Sequence, residues 1–184
     1  MTELLDVRDE QGNLTGEAMP RAEVHRTEAW HGVVLVWVYN SKGEILLQLR
    51  AAHLNAFPEK WDVTVSGHLA ASEKAVQTAV RELSEEVGVY APAEELEFVS
   101  ELSDSFPLIY GKTHREHDYI FLTKQDIVAE KLKLQAAEVL DVRWITPDEL
   151  ERDLDDPVNK HHYSTRNRRV FQLIIDAMRE RFPA

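Results

Sequence analysis

Residues 67–89 read Gly-His-Leu-Ala-Ala-Ser-Glu-Lys-Ala-Val-Gln-Thr-Ala-Val-Arg-Glu-Leu-Ser-Glu-Glu-Val-Gly-Val, and no other stretch constrains the chain as tightly. Val76, Val80, Leu83 and Val87 recur at steps of four, three and four, the spacing of one apolar helix stripe. At about 100° per residue, Glu82, Glu85 and Glu86 fall within roughly a third of the circumference, away from that stripe. Ser72 reads as the N-cap, and Gly88 as the left-handed residue that ends the helix. Three carboxylates this close repel one another, so helix stability does not account for them. Hard divalent cations take oxygen ligands and are commonly held between carboxylates and substrate phosphates. The segment therefore points to a metal site for diphosphate chemistry. A merely solvated acidic face would explain neither Gly67 nor Arg81.

The surrounding chain reads as one domain with decorated ends. Leu4 to Arg8 and Leu14 to Met19 flank the turn Glu10-Gln11-Gly12-Asn13 and predict an N-terminal hairpin within residues 1–25. Pro20 to His25 suits a short helix. His31 to Tyr39 is a β-branched and aromatic run, hence a central strand. Glu44 to Arg50 alternates, and Trp61, Val63 and Val65 alternate again, delivering the chain to Gly67. Strand-like runs follow at Leu96–Leu102, Asp118–Thr123 and Val142–Ile145. Thr146 caps a short helix with Glu149 three residues on. Val170, Leu173, Ile174 and Ala177 lie at helical spacing and predict a C-terminal helix over 165–182.

Composition bounds the function. At 184 residues the chain suffices for one domain with a substantial core. No apolar run approaches the roughly 20 residues of a membrane span, and the N-terminus lacks the pattern of a signal peptide. The absence of cysteine excludes disulfides, thiolate metal sites and a cysteine nucleophile. A formal net charge of −12 argues against non-specific nucleic-acid binding, yet not against a small phosphorylated ligand bound with a cation. A soluble, cytoplasmic enzyme without membrane or nucleic-acid partners is the expectation. A homodimer is left open, with the hairpin or the last helix as its surface.

Gly67, Glu73, Arg81, Glu82, Leu83, Glu85, Glu86, Gly88 and Val89 fill every specified position of the Nudix box, so the chain resembles the Nudix hydrolase superfamily. The resemblance implies an α/β fold, the Nudix α/β/α sandwich with a mixed central sheet. It implies Glu82, Glu85, Glu86 and the Gly67 carbonyl as metal ligands, with Mg²⁺ or alternatively Mn²⁺ as the ion. Arg81 and Glu73 would form a salt-bridged pair fixing the loop on the helix. The ion would neutralise the bridging phosphates while an activated water attacks phosphorus. The catalytic base varies among such enzymes. Glu85, Glu116 and Arg81 are the catalytic candidates, and Arg50, His68 and Glu73 those for binding a small-molecule diphosphate.

A second constellation narrows the subgroup. His25, His31, Gly43, Arg50, Trp61 and Gly67-His68 resemble type I isopentenyl diphosphate isomerase, also of Nudix fold. In that family three histidines and a Glu-x-Glu pair bind a metal, and a cysteine just before the Gly-His transfers a proton. Here the cysteine position is Ser66 and the pair reads His114-Arg115-Glu116. A hydroxyl is a far weaker acid than a thiol, and the isomerases' own box is degenerate, whereas this one is complete. The reading is a Mg²⁺-dependent pyrophosphohydrolase of the isomerase-like subgroup, acting on a nucleoside diphosphate or a derivative. Two alternatives remain: a prenyl diphosphate isomerase or phosphatase, and a non-catalytic metabolite-binding module.

His25, His31 and His114 form a candidate second metal or substrate site, although a single histidine is more often structural. Lys60 and Lys112 are weaker phosphate contacts. Trp61, Phe57 and Tyr110 could stack on a base, or belong to the core. The cluster Arg166, Arg168 and Arg169 and the pair His161-His162 read as solvated surface.

Overall fold

The computed structural model describes residues 3–107, 111–164 and 168–183. Nine strands form one mixed sheet among them. The hairpin β1 (Leu4–Arg8) and β2 (Leu14–Pro20) leads into a short helix α1 (Arg21–Thr27) and the long strand β3 (Trp30–Tyr39). Then come β4 (Ile45–Arg50), β5 (Trp61–Asp62), β6 (Val65–His68) and the acidic helix α2 (Ala75–Glu86). Strands β7 (Glu97–Pro107), β8 (Thr113–Lys124) and β9 (Val139–Ile145) precede α3 (Pro147–Asp155) and α4 (Arg168–Arg181).

Strand β3 organises the sheet because side chains on both of its faces are apolar. Val33, Leu35 and Trp37 point to one face, and Val34, Val36 and Val38 to the other. It pairs antiparallel with β1, β4 and β6, and parallel with β8 in a register that sets His31 opposite Glu116. On one side, β3, β4 and β8 bury their side chains against Leu150 and Leu154 of α3 and Val170, Phe171, Ile174, Ile175 and Met178 of α4. On the other, Ala79, Leu83 and Val87 of the acidic helix region pack on Val34, Leu46 and Val65. The result is an α/β/α sandwich, the fold class expected.

Local departures have identifiable causes. Ser72 is not the N-cap of α2: it adopts a left-handed φ of 66°, and its N–H goes to Asp6 Oδ2 at 2.8 Å, so the helix begins after Lys74. The alternating run 61–65 is broken into β5 and β6. There Thr64 Oγ1 accepts from Val38 N–H at 3.0 Å and donates to the Leu46 carbonyl, so a side chain replaces the ladder. Strands β7 and β8 are longer than their apolar runs, because the polar stretch from Ser103 to Pro107 still pairs with Thr113 to His117. Gly88 ends α2 as expected, with φ of 70°, and Val89 N–H returns to Leu83 O at 3.1 Å. Thr146 and Glu149 form the reciprocal cap of α3. Helix α4 is described only from Arg168, so the expected start at 165, like Arg166 and Tyr110, lies outside the described residues. No described helix is long and apolar enough to cross a membrane.

Candidate active site

A cleft of about 990 Å³ opens between α1, β6, the end of α2 and the segments before β5 and β9. Carboxylates line one end and imidazoles the other, with Gly67 between them.

At the carboxylate end, β6 brings Gly67 directly beneath Glu82. A Cβ on Gly67 would stand 2.2 Å from the Glu82 carboxylate, so only glycine allows the acid to lie over this strand. The three helix glutamates differ in setting, contrary to a uniformly presented face. Glu85 is exposed, Glu82 is half-buried and Glu86 is 3% exposed. Burial pushes the Glu86 carboxyl well above its usual range, Glu82 adds to this, and Arg50 opposes it. Burial likewise raises Glu82, against the nearby Arg81. Two carboxylates that resist ionising alone could hold a cation, which would remove the penalty.

Arg81 spans the group. It bonds Glu73 at 3.3 Å, Glu82 at 2.8 Å and Glu85 at 3.1 Å, so the Glu73–Arg81 pair is present. Glu73, however, is not among the residues lining the cleft; its carboxylate is spent on Arg81. Arg50 is 9% exposed at the cleft floor. Its Nε donates to Ala56 O at 3.0 Å, and one Nη reaches Ser66 Oγ at 3.3 Å and lies 3.7 Å from Asp62. That leaves a rigid guanidinium facing the carboxylate end.

At the other end, His25 from α1, His31 from β3 and His68 from β6 place one nitrogen each within 4.8 Å of the others. His25 and His68 share a 3.0 Å Nε2···Nε2 hydrogen bond. His31 Nδ1–H donates to Ala29 O at 3.0 Å, and its buried Nε2 has no partner. An imidazole whose second nitrogen is held by a carbonyl and whose first is vacant is arranged as metal ligands are. His114 lies 4.4 Å from His25 between ring centroids and bonds Glu116 at 3.1 Å. Burial, then the neighbouring imidazoles, pushes His25 down to about 3; burial also lowers His31 and His68. For His25, His31 and His68 this favours the neutral ring, the state that ligates.

The cleft thus gathers Glu82, Glu85, Glu86, Gly67, Arg81, Arg50, His25, His68, His114 and Glu116, with His31 against it and Lys112 at the rim. It leaves out Lys60, whose Nζ bonds His161 O, and Trp61, which stacks with Arg143 at 4.3 Å. Phe57 packs on Phe106. His161 and His162 are exposed, and Arg168 is spent on Leu154 O and Asp155. Three further lining residues carried no sequence signal: Arg21 at the rim, Gln48 on the floor and Glu138 before β9. Alternation in β4 places Gln48 on the face of Arg50, but nothing in the run Gln135-Ala136-Ala137-Glu138 marks its glutamate.

Comparison with known proteins bears on family and fold. Nudix hydrolase 3 of Arabidopsis thaliana is 32% identical over 161 residues, 84% of this chain but 21% of its own length, so the chain spans about a fifth of that relative. An isopentenyl-diphosphate Delta-isomerase of Nocardia farcinica is 32% identical over 152 residues, 82% of this chain and 83% of that one. The crystal structure of DR0079 from Deinococcus radiodurans superposes with a TM-score of 0.70 at 20% identity, covering 94% and 97% of the two chains, a likeness of fold. The family model of the NUDIX domain matches residues 29–166, more than half of the chain and the whole acidic helix, and the protein belongs to the Nudix family.

Proposed function

We propose that this chain is a divalent-cation-dependent hydrolase that cleaves a diphosphate linkage in a nucleoside diphosphate or a nucleoside-diphosphate derivative, with residues 1–184 working as one Nudix domain. The observation that carries the reading is buried Glu86 beside half-buried Glu82, whose carboxylate lies where a Cβ on Gly67 would stand 2.2 Å away. Oxygen ligands of this kind suit Mg²⁺, or Mn²⁺ in its stead. When bound, the ion offsets the charge of the phosphates and polarises them. Arg50 meets a phosphate oxygen from the floor, and Arg81 keeps Glu82 and Glu85 in place. The cleft volume suits a nucleotide-sized ligand.

Phosphate release from nucleoside diphosphates, nucleotide sugars and dinucleoside polyphosphates, with and without Mg²⁺, tests this. Metal-dependent cleavage is expected, and Glu86→Gln should abolish it while leaving the circular dichroism spectrum intact. Full activity in that variant would remove Glu86 from the ligand set.

A second reading, a prenyl diphosphate isomerase, is favoured by the vacant His31 Nε2 within the imidazole cluster and by Glu116 beside it. Against it stands Ser66, a hydroxyl where the isomerases use a thiol. Incubation with isopentenyl diphosphate discriminates: isomer formation supports this reading, and release of phosphate alone supports a phosphohydrolase.

A further inference from the structure

We propose that Asp6 is a positioning residue of the acidic cleft: from β1 it holds Ser72 in a left-handed turn, and that turn aims Glu73 at Arg81, which sets Glu82 and Glu85. The inference rests on the reading of those glutamates as cation ligands in a hydrolase, and gives the N-terminal hairpin a part in it.

Strand β1 guides the first half of the loop that joins β6 to α2. Leu5 bridges Ala70 in antiparallel fashion, and Ala71 N–H donates to Leu4 O at 2.8 Å. Continued in this register, the pairing would set Ser72 opposite Glu3. Instead Ser72 turns at a φ of 66°, and its N–H comes back to Asp6 Oδ2 at 2.8 Å. A left-handed φ crowds Cβ against the backbone, so a serine adopts it only where its surroundings compel it. Ser72 is exposed, so packing contributes little to holding the turn. The carboxylate on its N–H is the contact that does.

The residue after the turn is Glu73, whose N–H closes the loop on Ala70 O at 3.0 Å. Its carboxylate grips one edge of the Arg81 guanidinium, accepting from Nε at 3.4 Å and Nη2 at 3.3 Å. The remaining Nη1 donates to Glu82 at 2.8 Å and Glu85 at 3.1 Å. A guanidinium is a rigid planar fork, so fixing one edge fixes the direction of the other. If Ser72 relaxes, Glu73 swings, Arg81 loses its anchored edge, and Glu82 and Glu85 lose their common donor. Asp6 is not among the residues lining the cleft, so it acts on the ligands through the backbone of the loop.

The test measures Mn²⁺ binding by the electron paramagnetic resonance of the free ion, and the binding that Glu86→Gln removes is assigned to the acidic end. Asp6→Ala should weaken that binding by about 10- to 100-fold, the usual effect of losing a partner behind a ligand. Asp6→Asn keeps an acceptor oxygen and should recover most of it. Adding Ser72→Gly to Asp6→Ala should recover it too, because glycine enters the left-handed region without a Cβ penalty. A general weakening of the fold would not be repaired by that glycine. Ser72→Val keeps Asp6 but opposes the turn; it should weaken Mn²⁺ binding in the same way, and it carries the test if Asp6→Ala does not fold. Parental affinity in Asp6→Ala overturns the proposal, and so does a double variant that binds no better than Asp6→Ala. A parent protein without Mn²⁺ binding that depends on Glu86 defeats the ligand reading and this inference with it. One that binds Mn²⁺ through Glu86 yet cleaves no diphosphate defeats the hydrolase reading alone, and the positioning of the ligands by Asp6 stands.

Discussion

At the scale of the residue, the cleft depends on an atom that is missing. Gly67 has ordinary strand geometry, so alanine there costs no backbone strain; its Cβ instead meets Glu82 at 2.2 Å. Gly67→Ala should therefore fold, displace Glu82 and lower turnover by about 10²-fold, the usual cost of a misplacement near 1 Å. Calorimetric titration with Mn²⁺ would show the matching loss of affinity, and a variant as active as the parent would mean that Glu82 does not need this position. Gly67, Glu82 and Glu86 were legible because their spacing is rigid and their chemistry specific. Glu138 and Gln48 were not: each is one polar residue in an unremarkable run, and only the fold brings them to the acidic helix. Glu73 shows the opposite limit. Its position in the motif was clear, but which way its carboxylate turned depended on Arg81.

At the scale of the element, α2 separates anchoring from chemistry. Leu83 is fully buried between Ala79 and Val87 on the β3–β6 face. Leu83→Ala should cost about 2–5 kcal/mol, read as a lower midpoint in urea, while activity per folded molecule in dilute buffer stays near that of the parent. Activity falling faster than the folded fraction would show that the helix moves when the cavity opens. Periodicity revealed this helix, and residue type revealed its end at Gly88 and the cap of α3 at Thr146. It misplaced the start of α2, because the Asp6 carboxylate that captures Ser72 N–H lies in β1. It also could not see the break at Thr64, whose hydroxyl bonds depend on two strands distant in sequence.

At the scale of the molecule, the two ends of the cleft respond oppositely to acid. The Glu86 carboxyl is raised above its usual 4.5, so its stabilising contribution is complete below that value and is lost as pH rises through the folded-state pKa. His25 is lowered from 6.5 to about 3, so its contribution is present above 6.5 and is lost as pH falls toward 3. Without metal, Glu86→Gln should be more stable than the parent, with the gap in Tm widening as pH rises above the usual carboxylate value of 4.5. Saturating Mg²⁺ should close that gap by stabilising only the parent. A gap that does not change with pH would detach the effect from Glu86. The parallel register of β3 on β8 carries a further consequence, for the order of events in folding. Residue 31 meets residue 116 only after a long loop closes, a slow step in any chain. His31 and Glu116 are thus strangers until β8 has emerged and docked, and a metal ion at that end would arrive as a lock on a finished sheet rather than as the seed of one.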